Sequence, residues 1–352
     1  MTGFVSSAPG KLVLFGEYAV LEGAPALVSA VNRRATVKFR SDDSGVLTLS
    51  AVPLGLKHFP VLGRGQRHAD AEAEPRAALT LMVLELMLSK FPELGPLLSG
   101  GHLTIDSTAM SLAHGGAKLG VGSSAAVATA LVGGIGSLLK DQPLGGREIF
   151  ELAHRAHQQF QGGKGSGIDV AAASFGGVLS FSGAKGLQSP QVEISTWPIG
   201  LRWQVVGTGV SASTSQFIGA LRAWRDDNLN EYRGLMDDMR TLSERVAAGV
   251  EVSWVEASLQ WCELLEALGQ RIGAPIMSDK HREFRDLALH HGLGYKPSGA
   301  GGGDAGFFVI PPDRSLDDVR TLIKDRNIHM LPLSPDASGI QVESLERSEG
   351  QG

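Results

Sequence analysis

The stretch Lys118-Leu119-Gly120-Val121-Gly122-Ser123-Ser124-Ala125-Ala126 runs straight into an apolar segment, Ser123 to Leu139. Two closely spaced glycines let the backbone turn its N–H groups inward and let an anion come near. Ser123 and Ser124 then open a helix, where unpaired amides and the positive end of the dipole favour phosphate. A serine hydroxyl there can also meet the Mg2+ that accompanies a nucleotide. The Gly-Lys-Ser/Thr order of a Walker A loop does not occur, and the third glycine of a dinucleotide-binding turn is missing. Taken alone, Gly-x-Gly-Ser-Ser reads equally well as a serine N-cap after a turn.

Three further segments carry residues of the right type. Lys296-Pro297-Ser298-Gly299-Ala300-Gly301-Gly302-Gly303-Asp304 leads into the strand-like Ala305 to Ile310. A purely structural turn seldom needs so many glycines, since each costs roughly 0.5–1 kcal/mol of extra chain entropy on ordering. Near the start, Ala8-Pro9-Gly10-Lys11 opens an apolar strand and Gly16-Glu17-Tyr18 closes it, so Lys11 is an awkward cation unless it faces an anion or a carboxylate. Gly165-Ser166-Gly167-Ile168-Asp169 places one carboxylate at the mouth of a helix of small residues. Asp169 suits a general base toward a hydroxyl, and equally a helix cap.

Short runs rich in Val, Leu or Phe punctuated by turns predict strands at 12–15, 26–31, 35–39, 46–51, 102–106 and 178–181. Apolar spacing predicts helices over 76–91, 123–139 and 147–160, with a polar loop over 56–75. Past Ser182 the pattern turns helical, at 217–224, 228–247, 252–272 and 279–291. It ends with strands at 203–207, 305–310 and 339–345 around a helix at 316–326. Strands, then helices, then strands predict an α+β chain of two parts, 1–190 and 191–352.

The 352 residues are 43% hydrophobic and 20% charged, which excludes a disordered chain. A net charge of −5 gives no electrostatic footprint for nucleic acid. No apolar run reaches the ~18 residues of a membrane span, and the first residues lack the basic start of a secretory signal. The single cysteine, Cys262, forms no internal disulfide, which points to a reducing, cytoplasmic setting. The expected partner is a small-molecule substrate, with no nucleic acid and no membrane, and the expected assembly is a monomer or homodimer.

Singly these signals are modest, but their order is specific. Pro-Gly-Lys near the N-terminus, Gly-x-Gly-Ser-Ser-Ala-Ala a third of the way in, and Ser-Gly-Ala-Gly-Gly-Gly near the C-terminus resemble the three motifs of the GHMP kinase superfamily. The resemblance spans residues 4–310. It implies a ribosomal-protein-S5-like α/β domain followed by a ferredoxin-like α/β domain with added helices, and ATP with Mg2+ as cofactors. Within the superfamily, Gly303-Asp304, Lys118 before the second motif, Gln158 in place of a metal-binding glutamate, and Ala212 in place of an arginine look more like the phosphomevalonate kinases than the mevalonate kinases.

Carried over to this chain, the resemblance makes Lys11 and Asp169 catalytic. It gives Lys118, Gly120, Gly122, Ser123, Ser124 and Ala125 to the nucleotide, with Ser124 reaching the metal. Glu17, Tyr18, Ser166, Ser213, Thr214, Ser298, Gly299, Ala300 and Gly301 fall to the acceptor, with Lys118, Lys164 and Lys296 as cations for its charge. The implied reaction is ATP-dependent phosphorylation of 5-phosphomevalonate to the diphosphate. The alternatives are mevalonate as acceptor, or a homologue that binds ligand without turnover. His154 and His157, three apart on a helix, read as surface histidines, and Cys262 as a buried small hydrophobe.

Overall fold

The computed structural model describes residues 2–63, 74–111, 119–139, 143–163, 165–183, 190–197, 200–210, 214–249 and 253–345. Among them the strands are β1 (Gly3–Phe15), β2 (Pro25–Ser41), β3 (Val46–Ala51), β4 (Leu56–Gly63), β5 (Gly101–Asp106), β6 (Val178–Ser182), β7 (Gln191–Ser195), β8 (Arg202–Gly207), β9 (Gly294–Pro297), β10 (Ala305–Ile310), β11 (His329–Leu331) and β12 (Gln341–Leu345). The helices are α1 (Glu74–Lys90), α2 (Leu94–Leu97), α3 (Ser123–Gly136), α4 (Gly146–Phe160), α5 (Ile168–Phe175), α6 (Thr214–Asp227), α7 (Leu229–Ala247), α8 (Trp254–Ile272), α9 (Asp279–His290) and α10 (Leu316–Asp325).

Two sheets result. The first runs β12-β1-β2-β5-β3-β4, with β6 on the far end of β2 and β7 beside it. The second is antiparallel, in the order β11-β8-β10-β9. This is the α+β architecture expected. A division at residue 190 cuts across hydrogen bonds, because β7 pairs with β6 and β12 returns to pair with β1.

Three strands expected at 12–15, 26–31 and 35–39 merge into the long β1–β2 pair. Cross-strand pairing extends order through Ser6, Ser7 and Arg34, where the apolar pattern lapses, and Asn32 and Arg33 bulge between paired neighbours. The loop expected at 56–75 instead begins as β4, and its Pro60 is tolerated because β4 is the edge of the sheet. The segment 64–73 lies outside the described residues, as does the tail beyond Leu345.

α3 packs on β1 and β2 and is flanked by α1, α4 and α5. Its glycines serve this approach: a methyl group on Gly134 would stand 2.2 Å from Cε2 of Phe4. Glycine costs about 1 kcal/mol in a helix, and here it brings the last turn of α3 close against the start of β1. α8 and α9 cover the second sheet, and α7 reaches back to β2 and to the turn Ala19–Glu22. Cys262 is fully buried on α8, its thiol pushed up to about 12 by burial, as expected of a small hydrophobe. Among the described residues no helix is long and apolar enough to cross a membrane.

Candidate active site

A cavity of about 530 Å³ opens where β1, the first turns of α3 and α5, and the loop after β9 converge. The register of β1 against β2 shifts between Pro9 and Gly10. The extra residues are Asn32 and Arg33 of β2, which have no partner on β1, and Lys11 follows directly after the irregularity. Its amide donates to the carbonyl of Val121 at 2.8 Å and its Nζ to that of Gly120 at 2.9 Å, so β1 is stitched to the 119–122 loop.

Gly120 and Gly122 stand at φ 71° and 77°, a region that side chains rarely adopt. A methyl on Gly122 would lie 3.3 Å from Cγ of Lys11 and 3.4 Å from Cβ of Asp169, so both side chains flank the same point. Gly122 caps α3 with no side-chain hydrogen bond, which leaves the first-turn amides to a ligand. Burial lowers the pKa of Lys11, while Asp169, Asp304 and Glu17 act in the opposite sense. The amine is thus less firmly protonated than an exposed lysine, with three carboxylates favouring its charged form.

On the other wall Glu17 is 5% exposed and Lys296 is 0% exposed. Nζ of Lys296 donates to Oε1 of Glu17 at 2.6 Å and to the Pro297 carbonyl, and the Gly299 amide donates to the same Oε1 at 3.2 Å. Oε2 of Glu17 is buried with no partner among the described residues. Tyr18 sits at φ 63°, strained for a tyrosine, and its hydroxyl donates to the Ala300 carbonyl at 2.5 Å. The loop after β9 is thereby fastened to the end of β1. A second cavity, of about 270 Å³, adjoins the first through Val20, Leu21, Gly165, Ser166 and Ile218 and presents Arg222 and Arg225 from α6.

Residues 78–177 match the GHMP kinases N terminal domain. Over 371 residues the chain is 30% identical to a phosphomevalonate kinase of Streptomyces sp. (strain CL190), across 96% of this chain and 98% of that one. This chain belongs to the GHMP kinases. It is also 28% identical over 326 residues to a mevalonate kinase of Pyrococcus abyssi, covering 91% of this chain and 92% of that one. The fold is that of a Lin0012 protein from Listeria innocua (TM-score 0.80, 22% identity, 97% and 99% of the two chains). It is also that of a Streptococcus pneumoniae phosphomevalonate kinase solved in complex with phosphomevalonate and AMPPNP (TM-score 0.72, 19% identity, 94% and 99% covered).

In this GHMP kinase the cavity gathers Lys11, Glu17, Tyr18, Gly120, Gly122, Ser123, Ser124, Ser166, Asp169, Thr214, Gly299 and Ala300, all named from the sequence. Three others stand behind its wall. Ala125 is buried in the core side of α3. The Ser298 hydroxyl accepts from the Val13 amide at 2.9 Å, which makes it a clasp on β1. Gly301 is pressed against Ile276, whose carbonyl a methyl there would meet at 2.5 Å. Lys296, expected as a cation for the acceptor, is engaged by Glu17 instead. Lys118, Lys164 and Ser213 lie outside the described residues.

Two residues of the site were not legible as such. Asp304 lines the cavity at φ 55°, packed against Gly120. His157 is not a surface histidine but is 1% exposed, with Nε2 2.9 Å from Oγ of Ser124. Only its position three residues after His154, on the face opposite the exposed Glu151 and Arg155, hinted at burial.

The glycine loop after β9 is also pinned from behind. His281 is fully buried, with Nδ1 2.7 Å from the Tyr295 hydroxyl and Nε2 3.1 Å from the Gly303 carbonyl. Burial pushes it down to about 4 from the usual 6.5. Between those values the unfolded chain takes a proton that the folded chain refuses. Stability is therefore complete above pH 6.5 and falls as pH drops toward 4, by about 3 kcal/mol for a shift of that size. Urea midpoints of the wild type and of His281→Gln at pH 7 and pH 4.5 check this. The wild type should lose more stability across the interval, and equal losses would remove His281 as the cause.

Proposed function

We propose that this GHMP kinase transfers the γ-phosphoryl group of ATP to 5-phosphomevalonate. The observation that carries it is the convergence of Lys11, Asp169 and the uncapped, glycine-led first turn of α3 on one cavity. Phosphoryl transfer asks a protein mainly for positioning and charge stabilisation, and these parts supply both.

The residues present fit the nucleotide and its metal. Gly120 and Gly122 leave space that a Cβ would fill, and the amides of Ser123 to Ala125 would take phosphate oxygens. Among the described residues no group of three His, Cys, Asp or Glu side chains could cage a metal. A site offering the Ser124 hydroxyl and the Asp169 carboxylate suits Mg2+, which keeps waters and phosphate oxygens as its other ligands. That ion would neutralise the charge on the phosphates.

The choice of a phosphorylated acceptor is supported by the Streptomyces relative, by Gly303-Asp304, and by Gln158, which is exposed where mevalonate kinases are expected to bring a glutamate to the metal. A phosphate nucleophile is largely ionised at neutral pH (second pKa about 6) and needs no strong base. Asp169 would then orient Lys11 as much as accept a proton. The far anionic end of the acceptor would meet Arg222 and Arg225 in the adjoining cavity. Glu17 lines the cavity, where its carboxylate would accept from a hydroxyl of the acceptor.

A second reading, mevalonate as acceptor, is favoured by the Pyrococcus relative, which aligns over nearly as much of the chain. ADP release measured with a panel of acceptors decides between them. Phosphomevalonate should exceed mevalonate by roughly 10²-fold or more in kcat/KM, because the smaller acceptor leaves polar groups unpaired. Faster turnover of mevalonate would overturn the assignment.

A further inference from the structure

We propose that His157 is a positioning residue that fixes the proton of the Ser124 hydroxyl, so that this oxygen presents its lone pairs to a cation on the nucleotide. The inference rests on the phosphoryl-transfer reading above.

Three helices meet at this ring. His157 lies in the last turn of α4, Ser124 in the first turn of α3 and Asp169 in the first turn of α5. Nε2 is 2.9 Å from Oγ of Ser124, while Nδ1 is 4.0 Å from Oδ1 of Asp169. The second distance is an electrostatic contact, longer than a hydrogen bond. A neutral imidazole has one N–H and one bare nitrogen. The carboxylate in front of Nδ1 favours the N–H on that side, and Nε2 is then the acceptor. The Ser124 O–H must point at it.

The consequence is chemical. With its proton committed to Nε2, Ser124 turns only lone pairs toward the cavity, which is what a hard cation requires. The opposite tautomer would donate from Nε2 to Oγ, occupy a lone pair and leave the serine proton to face the cation. A partner behind a ligating group commonly sets its orientation in this way, and its removal costs 10–100-fold in metal affinity or activity. Neither a helix cap nor a packing role requires this bond: α3 is capped by Gly122 without a side chain, and an apolar ring would fill the same space.

The test has two arms. In 15N-histidine-labelled wild-type protein, the His157 resonances, identified by their loss in His157→Gln, should show a protonated Nδ1 and a bare Nε2. In calorimetry, His157→Leu should bind a non-hydrolysable ATP analogue with Mg2+ about 10–100-fold more weakly than the wild type, and bind it equally well without metal. His157→Gln, whose amide oxygen can accept from Ser124, should stay within about threefold of the wild type. A protonated Nε2 in the wild type overturns the proposal, as does wild-type metal-dependent affinity in the leucine variant. The tautomer is read on the wild-type protein and stands even if the leucine variant does not fold. Should the wild type itself bind no nucleotide, the phosphoryl-transfer reading fails, a result distinct from either of these.

Discussion

Asp169→Asn should lower turnover by about 10²-fold or more while nucleotide binding survives. The carboxylate lies in the first turn of α5, part-buried, with Oδ1 accepting from the Val170 amide. It and Lys11 both flank Gly122, and it is the foremost of the charges that offset the desolvation of that lysine. Asparagine keeps the shape and removes the charge. Lys11→Met should cost a comparable factor, since it deletes the cation itself and its bond to Gly120. Because the two act as a unit, the double variant should lose much less than the product of the single losses. Steady-state ADP release and nucleotide titration on the three variants check this. Unchanged turnover in either single variant would point to other catalytic residues, or to a homologue that only binds.

The largest stability effect is expected at Lys296. Its amine is buried between the Phe15 and Phe307 rings, 5.5 and 5.3 Å from their centroids, and bonded to Glu17. Lys296→Met would leave the buried Glu17 carboxylate without its bonded counter-charge. Breaking a buried pair from one side costs about 3–5 kcal/mol, whereas replacing both partners is far milder. Chemical denaturation should therefore show a steep loss for Lys296→Met and recovery of most of it in Glu17→Gln with Lys296→Met. A single-variant loss below about 1 kcal/mol would show that water reaches the pair after all. The double variant should fold yet bind acceptor poorly, because Glu17 lines the cavity and its charge is lost.

These two results concern different kinds of information. Lys11 and Asp169 are visible in the sequence because each sits next to a glycine-rich turn whose backbone demands are local. Gly122 announces a positive φ, and the serines after it announce a helix start. The Glu17–Lys296 pair joins residues 279 positions apart, and nothing near either one marks the other. Lysine beside a glycine loop looks like a phosphate ligand, and only the pairing of β9 with β10 turns it inward against Phe15 and Phe307. The burial of His157 is hidden from the sequence for the same reason. Its place on α4 is legible, but the ring is buried because α3 and α5 close over it.

The chain itself determined what depends on neighbours within a few residues: where the backbone can turn left-handed, where helices begin, which stretches are apolar, and the order of three motifs that marks the family. Tertiary packing alone decided which charges meet. It set Lys11 beside Asp169 across a single glycine and gave Lys296 to Glu17 rather than to a ligand. It also slid a histidine behind Ser124. Side-chain encounters across hundreds of residues are fixed by sheet register and helix approach, and those arise only when the whole chain has closed.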